Sequence, residues 1–446
     1  MAFDQAQAQP TSTPLERDAR LASTDHKVSP SEIAIGVVIG RAAEYFDFFV
    51  FAIASVLVFP KVFFPFAEPV TATLYSFWIF ALAFVARPIG SVVFTAVDRV
   101  HGRGVKLTVA LLLLGFSTMA ISFLPGYALI GSWSIWLLAA LRVGQGLALG
   151  GASDGLASLL ALNAPIERRG FWAAIPQLGA PLGFVVAAVL FSFFLLNLNE
   201  GDFLEWGWRY PFFCAFTINV VAVFSRLRLV ATDEFARLLE QGRLAPSPVL
   251  PLIRTHGLDL FLGALIPLAS FALFHLVTVF PISWIHLFTN RSAGEFLMIQ
   301  STGAFICAGA VVASGLIADQ IGRRRLLLIS AGLIALFALA STLAPLIVEE
   351  NAIGQTIYVN AGFALLGLSY GQSSGAITSR LAQRYRYTGA ALTADLAWLL
   401  GAGFAPLIVL YLVSHYGLVC VGLYLLSGAV TTLLALSASR SEIRQV

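Results

Sequence analysis

Long apolar runs alternate with short polar gaps along almost the whole chain after residue 31. A helix that crosses a bilayer needs about 20 predominantly apolar residues, and twelve of the runs reach that length. The predicted spans are 32–59, 70–97, 105–125, 133–162, 170–197, 209–227, 257–288, 295–318, 325–348, 353–379, 388–413 and 416–437. The pattern therefore predicts an all-α membrane protein with twelve transmembrane helices.

The longest polar gap separates the sixth span from the seventh and contains Pro246, Pro248 and Pro251. It divides the chain into a tail at 1–31, a six-helix bundle at 32–227, a linker at 228–256, a second six-helix bundle at 257–437 and a tail at 438–446. The two halves share one loop pattern, which is Asp98 with Gly102-Arg103 and Asp319 with Gly322-Arg323. The recurrence predicts two six-helix pseudo-repeats, an arrangement typical of transporters.

Of the 27 Lys and Arg residues, 21 cluster in alternate gaps. The clusters are Arg17–Lys27, Arg99–Lys106, Arg168–Arg169, Arg226–Arg254, Arg323–Arg325, Arg380–Arg386 and Arg440–Arg444. Because cytoplasmic loops retain basic residues, this pattern predicts an inner-membrane protein with both termini in the cytoplasm. Residues 1–30 lack an apolar core, so we expect no cleavable signal peptide.

Composition narrows the function classes further. Hydrophobic residues make up 58% of the chain and charged residues 11%, whereas soluble domains are about 25% charged. The basic residues are dispersed through short loops and form no continuous patch, so we expect no nucleic-acid partner. The apolar composition predicts that the protein is surrounded by membrane lipid. Cys214, Cys307 and Cys420 lie in apolar runs and show neither a disulfide framework nor metal-ligand spacing.

Three charged residues recur on one face of the first span. Arg41, Glu44 and Asp47 are spaced three apart, which places neighbours on adjacent helical turns. Arg41 lies about 14 Å along the span at 1.5 Å per residue, near the middle of the bilayer. A buried carboxyl beside an arginine can take up a proton when that contact changes, so Glu44 and Asp47 are candidates for proton coupling. A permanent Arg41–Glu44 ion pair with a structural role is the alternative.

Other polar residues within the spans are candidates for the substrate site. Arg87 and Arg142 can either hold a substrate carboxylate through a bidentate guanidinium or form structural ion pairs. Asp395 can either shape specificity or pair with Arg386 near the membrane surface. Gln145, Gln177 and Gln372 are candidate cavity residues, although ordinary helix contacts explain them equally well.

The loop Gly315-Leu-Ile-Ala-Asp319-Gln-Ile-Gly322-Arg323-Arg324-Arg325 resembles the signature of the major facilitator superfamily. Further motifs resemble its metabolite:proton symporter branch, namely Glu44–Phe48, Arg87–Gly90, Arg142–Gly146, Trp206–Phe213, Arg386–Gly389 and Gly401–Pro406. The resemblance implies that the signature loops act as a latch between conformations and that Arg142 takes part in proton coupling.

The chain departs from this family pattern at three places. In the first-half loop Asp98-Arg99-Val-His101-Gly102-Arg103, the acid and the glycine are separated by one residue more than in the family pattern. Thr95 stands where the family has a glycine. Ala152 stands where the family usually has Glu, and Arg41 where it usually has Asn or a small residue. We therefore expect a weaker or rearranged first latch.

The sequence predicts proton-coupled uptake of a small organic anion by alternating access, because Arg41 and the missing Glu at position 152 shift the cavity toward positive charge. A proline-betaine type osmolyte symporter is the alternative within transport, and a transport-inactive membrane sensor is the alternative outside it. No nucleophile–base pair and no phosphate loop is present in the sequence. We expect a monomeric, non-enzymatic protein without cofactor or metal.

Overall fold

The computed structural model describes residues 30–152, 160, 164–230, 246–343, 351–373 and 385–438. All regular secondary structure within these ranges is helical. The long helices are α1 (Pro30–Leu57), α2 (Pro69–His101), α3 (Arg103–Ser122), α4 (Trp133–Gly151), α5 (Arg169–Asn197), α6 (Arg209–Val230), α7 (Leu268–Phe288, preceded by Val249–Leu265), α8 (Ala293–Ile321), α9 (Arg323–Leu343), α10 (Ala352–Tyr370), α11 (Tyr387–Tyr416) and α12 (Val419–Ala438).

Ten helices of the described ranges are long and apolar enough to cross a membrane. The two remaining long helices, α1 and α6, have 28 and 22 residues. They carry the buried charged residues Glu44, Asp47 and Arg226. The predicted twelve-helix fold is therefore confirmed.

Helix packing repeats with an offset of six helices. Helix α2 packs on α4, α3 on α6 and α1 on α6, and the matching pairs α8 with α10, α9 with α12 and α7 with α12 are also in contact. The two sets meet where α5 packs on α8, α2 on α11 and α1 on α7. This packing is that of two six-helix pseudo-repeats, which we call the first half and the second half. The exact domain boundaries stay a prediction.

Glycines allow α2 and α4 to approach until their backbones touch. A methyl group added at Gly150 would lie 2.2 Å from the carbonyl oxygen of Arg87, and one at Gly146 would lie 2.4 Å from that of Ala83. Backbones can approach this closely only where small residues meet. The contact fixes the depth and direction of Arg87 relative to α4.

Three helices are interrupted near prolines. Tight 3₁₀ turns interrupt α5 at Ile175–Leu178, beside Pro176, and Pro267 separates the two segments of α7. In α11 a π-helical turn at Leu399–Gly403 precedes Pro406. Helix α6 continues to Val230, and the first segment of α7 begins at Val249, so both reach into the predicted linker at 228–256.

Candidate functional site

A central cavity lies among α1, α2, α4 and α11. Three guanidinium groups, one carboxylate and four aromatic rings line it, from Arg41, Arg87, Arg142, Glu44, Tyr45, Phe48, Phe84 and Trp398. Only Trp398 of these residues comes from the second half, so within the described part of the chain the first half supplies the charge on the walls. Cationic groups beside apolar rings can hold a small molecule with an anionic group and an apolar body.

An ion pair joins the two halves next to this cavity. Arg87 of α2 donates from Nε to Oδ1 of Asp395 on α11 at 2.7 Å. Asp395 is 0% exposed, and the hydroxyl of Ser91 donates to its other oxygen. The partner suggested by sequence, Arg386, begins the same helix nine positions earlier, a separation of about 13.5 Å at 1.5 Å per residue. Asp395 is thus paired across the two halves, with Arg87.

Two arginines surround the carboxylate of Glu44. Arg41 donates to Oε2 at 2.8 Å from the preceding turn of α1, and Arg226 of α6 donates to Oε1. Arg226 is 2% exposed and also donates to the carbonyl of Ala152 at 2.8 Å. Gly40 makes room for it, since a methyl group there would lie 2.5 Å from its Nε. Glu44 therefore holds α1 and α6 together.

Asp47 has a different environment, although it lies only one turn further along α1. It is 2% exposed and accepts a hydrogen bond from the side-chain amide of Asn219 on α6. Within the described residues, its second oxygen, Oδ1, is buried without a hydrogen-bond partner. Its direct contact is a neutral amide, whereas the direct contacts of Glu44 are guanidinium groups.

Arg142 of α4 is buried in the first half. It donates to the carbonyl of Phe80 at 3.2 Å and to Gln145 Oε1 at 2.9 Å, and Gln145 donates to Thr118 at 2.7 Å. The guanidinium carbon lies 3.9 Å from the centre of the Phe51 ring. Among the described residues, its Nη2 atom has no hydrogen-bond partner. Within the described residues of the first half, one donor of Arg142 and one acceptor of Asp47 thus have no hydrogen-bond partner.

The second-half signature loop bridges the two halves directly. Asp319 accepts hydrogen bonds from the backbone N–H groups of Gly170 at 2.6 Å and Phe171 at 3.2 Å, at the start of α5. Gln372 lies in the same contact, because it accepts from Arg323 at 3.1 Å and donates to the carbonyl of Gly170 at 3.1 Å. Gly322 makes the turn after α8 with φ of 86°. We call this contact the second latch.

The first-half loop has the same turn but different partners. Gly102 has φ of 83°, and Asp98 pairs within its own half with Arg103 at 3.1 Å and Lys106 at 3.8 Å. These two cations contact Tyr387 at the start of α11, Arg103 over its ring and Lys106 at its hydroxyl. We call this contact the first latch. In it two cations, rather than the acid, reach the other half.

Comparison with known proteins places this architecture in a family. A family model described as Major Facilitator Superfamily matches residues 37–406. The chain belongs to the major facilitator superfamily. It is 38% identical over 415 residues to the inner membrane metabolite transport protein YhjE of Escherichia coli K12, covering 92% of this chain and 93% of that one.

Two further major facilitator proteins support the assignment. The shikimate transporter of Escherichia coli K12 is 27% identical, with 92% of this chain and 95% of that one covered. The fold matches the solved structure of the proton:xylose symporter XylE bound to 6-bromo-6-deoxy-D-glucose, with a TM-score of 0.69, 16% identity and coverage of 92% of this chain and 94% of that one. This chain is accordingly a multi-pass membrane transporter and not an enzyme.

The structure distributes the predicted site residues of this major facilitator protein over three places. Arg41, Glu44, Arg87 and Arg142 line the cavity. Asp47, Gln145 and Asp395 lie directly behind its wall, whereas Gln177 is buried in α5, which packs on α1. The remaining residues lie at the latches, where Gln372 and Arg323 bond each other, Arg324 bonds the carbonyl of Leu436 at 2.7 Å, and Arg99 is exposed.

Sequence reasoning missed three residues that contact the predicted ones. Arg226 was counted among the cytoplasmic basic residues, yet it is buried against Glu44, and its position inside the predicted sixth span was the available signal. Asn219 is an isolated amide in the same span. Tyr387 belongs to the Arg386–Gly389 motif, which gave it no role of its own. Its contacts with Arg103 and Lys106 form only when the two halves pack against each other, so the sequence does not show them.

Proposed function

We propose that this transporter takes up a small organic anion together with protons by alternating access. The observation that carries the proposal is the arrangement of charge at the cavity. The described residues there provide four guanidinium groups, from Arg41, Arg87, Arg142 and Arg226, against three carboxyl groups, from Glu44, Asp47 and Asp395. An excess of positive charge in a low-dielectric site favours an anionic substrate.

In this proposal Arg41 and Arg87 bind the anionic group of the substrate. Both residues line the cavity, Arg41 from α1 and Arg87 from α2. The aromatic side chains of Tyr45, Phe48, Phe84 and Trp398 offer an apolar surface for the rest of the molecule. Keto, hydroxy and dicarboxylic acids and ring acids of the shikimate type combine these two features. Gln145 and Gln177 would act from behind the wall, by orienting Arg142 and α1.

Asp47 is the proposed proton carrier, with Arg142 as its partner. Glu44 meets two guanidinium groups, so loss of its charge would disrupt two ion pairs. Asp47 meets the amide of Asn219, so it can exchange a proton without breaking an ion pair. Movement of Arg142 toward the free oxygen of Asp47 would favour release of that proton, because a nearby cation stabilises a carboxylate.

The orientation proposed for the protein follows the basic residues of its loops. Both latches lie at the end of the bundle that we assign to the cytoplasm, with both termini on that side of the inner membrane. The relative YhjE is named as an inner membrane protein, which supports this location. The two halves also touch at the opposite end, where Ser192 donates to the carbonyl of Gly294 at 2.8 Å. Alternating access requires these two contacts to open in turn. We propose a monomer as the working unit, since one chain contains both halves of the site.

A zwitterionic osmolyte is a second candidate substrate, and the aromatic wall favours it. Quaternary ammonium groups bind over aromatic rings, and Tyr45, Phe48 and Trp398 present three rings to the cavity. The nearest cations, Arg41 and Arg87, already lie 5.5 Å from the ring of Tyr45 and 5.9 Å from that of Trp398. A second cation would be repelled there, so we place this candidate below an organic anion.

Uptake by proteoliposomes tests the proposal. Radiolabelled shikimate, 2-oxoglutarate, succinate, proline and betaine would be offered with an inward proton gradient, without a gradient and with an uncoupler. We expect accumulation of at least one of the acids only with the gradient. Accumulation of betaine or proline alone would replace the first candidate by the second, and gradient-independent uptake would contradict proton coupling.

A further inference from the structure

We propose that Asp395 is an internal substitute for the carboxylate of the substrate. It holds Arg87 while the cavity is empty, and a bound organic anion takes its place and thereby releases α2 from α11. The inference rests on the proposed function only in assuming an anionic substrate. It adds a specificity residue from the second half and a reason why the halves separate on binding.

The geometry of the pair carries the inference. Arg87 forms part of the cavity wall, while its Nε atom bonds Asp395 at 2.7 Å. A guanidinium has further N–H donors besides Nε, so an incoming carboxylate can contact Arg87 before Asp395 leaves. Asp395 itself is completely buried and is also held by the hydroxyl of Ser91. One guanidinium thus faces both the substrate space and an anion that belongs to the protein.

The pair differs from the other ion pairs within the described residues because it joins the two halves. The pairs of Glu44 with Arg226 and of Asp98 with Arg103 lie inside the first half. The exposed pair of Lys61 with Glu200 also lies there. Arg87–Asp395 instead connects α2 to α11, which must move relative to each other if the cavity is to open between them.

The energetics of buried ion pairs explain why an anion would be needed. Separating such a pair leaves two uncompensated charges, which is strongly unfavourable. Among the described residues that line the wall, the other anion is Glu44, whose carboxylate is already bonded by Arg41 and Arg226. A substrate carboxylate supplies the missing partner. A ligand shifts a conformational equilibrium by its difference in affinity for the two states, and here the difference arises at Arg87.

Distance measurements on the full chain test the release step without any transport assay. Nitroxide labels would be placed on cysteines introduced at Val100 and Gln320, two exposed positions at the latch ends of α2 and α8. The native Cys214, Cys307 and Cys420 would first be replaced by alanine. We expect Asp395→Asn to shift the distance distribution to longer values with no anion present. A distribution equal to that of the parent protein, or a shorter one, would overturn the proposal.

A matched control removes the same charge at another site. Asp259 pairs with His256 on the partly exposed first segment of α7, so Asp259→Asn should leave the distances unchanged. If Asp395→Asn does not fold, Ser91→Ala serves as the second variant. It removes one hydrogen bond to Asp395 and keeps both charges, and we expect a smaller shift in the same direction. No shift with Ser91→Ala in that case would count against the proposal.

Binding of simple anions tests the substitution step. Succinate would be titrated into purified protein by thermal shift, with succinamide as the uncharged control. Because Asp395→Asn removes the internal competitor, we expect succinate to bind about tenfold more tightly to it than to the parent, a difference of 1.4 kcal/mol. Unchanged or weaker binding would contradict the proposal. Failure of every acid in the uptake assay would instead overturn the proposed function and leave the distance result standing.

Discussion

Asp319 accepts a hydrogen bond from the backbone N–H of Gly170 at 2.6 Å, so a carboxylate of the second half caps a helix of the first. The first N–H groups of a helix have no partner within it and carry partial positive charge. They attract an anion whatever side chains surround them. The second latch therefore stabilises the arrangement in which the latch ends of α5 and α8 are in contact.

The two latch acids should differ in importance. Asp319→Asn keeps an oxygen acceptor but removes the charge at the start of α5, an effect of about 0.3–1 kcal/mol for an exposed helix terminus and up to about 2 kcal/mol when partly buried. Among the described residues, the side chain of Asp98 pairs with Arg103 and Lys106 of its own half. We expect Asp319→Asn to slow initial uptake more than Asp98→Asn, compared at equal membrane abundance. If Asp98→Asn is the more damaging change, the rearranged first latch carries the gating role.

Asp47→Asn should abolish proton-driven accumulation and spare exchange. The amide fills the same space beside Asn219 but cannot take up a proton. Expression and counterflow of unlabelled against labelled substrate should therefore persist, whereas accumulation against a gradient should be lost. The comparison is made in proteoliposomes with and without a pH gradient. A mutant that still concentrates substrate would remove Asp47 from the coupling step and make Glu44→Gln the next variant.

Arg226→Gln should reduce stability more than it reduces substrate affinity. Removing one partner of a buried ion pair costs about 3–5 kcal/mol, although Arg41 remains to balance Glu44. We expect a lower melting temperature and lower membrane abundance. The double variant Glu44→Gln/Arg226→Gln should recover part of the loss, because it leaves neither charge of the buried Glu44–Arg226 pair, while Arg41, which loses its bond to Glu44, is partly exposed to solvent. Equal stability of Arg226→Gln and the parent protein would show that Glu44 does not depend on this pair.

The sequence was sufficient for the helices, because apolar runs long enough for a bilayer predicted twelve spans. Charges at membrane depth singled out Arg41, Arg87 and Arg142, which lie at the cavity, but they did not indicate the aromatic residues that line it. Both signals are local, because each depends on a residue and its neighbours in the same run. The positive φ of Gly102 and Gly322 likewise follows from a short loop pattern.

Contacts between distant helices could not be obtained in this way. Asp395 lies 308 positions from Arg87, and spacing along one helix gives no information about which helix of the other half faces it. Gln372 resembled a cavity residue because it is a polar group in an apolar run, yet its partners are Arg323 and Gly170 at the second latch. Pairings of this kind depend on how the two halves pack against each other, and one sequence does not contain that information.

Reporter fusions can test the proposed orientation. A periplasmic reporter enzyme fused at Gly242, in the predicted linker, should be inactive, because the surrounding basic residues keep that loop in the cytoplasm. The same reporter fused near Glu350, between the ninth and tenth spans, should be active. A cytoplasmic reporter at the same positions provides the complementary signal. The reverse pattern of activities would invert the topology and place both latches outside.

The contact between α5 and α8 should depend on Gly315 of α8 and not on Gly309 of the same helix. A methyl group at Gly315 would lie 2.7 Å from the Cα atom of Phe171, whereas Gly309 has nothing within 4 Å of that position. Both substitutions to alanine gain the same helix propensity, up to about 1 kcal/mol. Only Gly315→Ala also forces two backbones apart, and overpacking of this kind costs about 1–3 kcal/mol.

We therefore expect Gly309→Ala to melt at the same temperature as the parent protein or higher, with unchanged initial uptake. Gly315→Ala should melt lower, and its labels at Val100 and Gln320 should move apart, because the start of α5 can no longer reach Asp319. Both variants share one helix and one chemical change, so the difference between them measures the inter-helix contact alone. If they behave alike in melting and in label distance, close approach of α5 to α8 is not what holds the second latch.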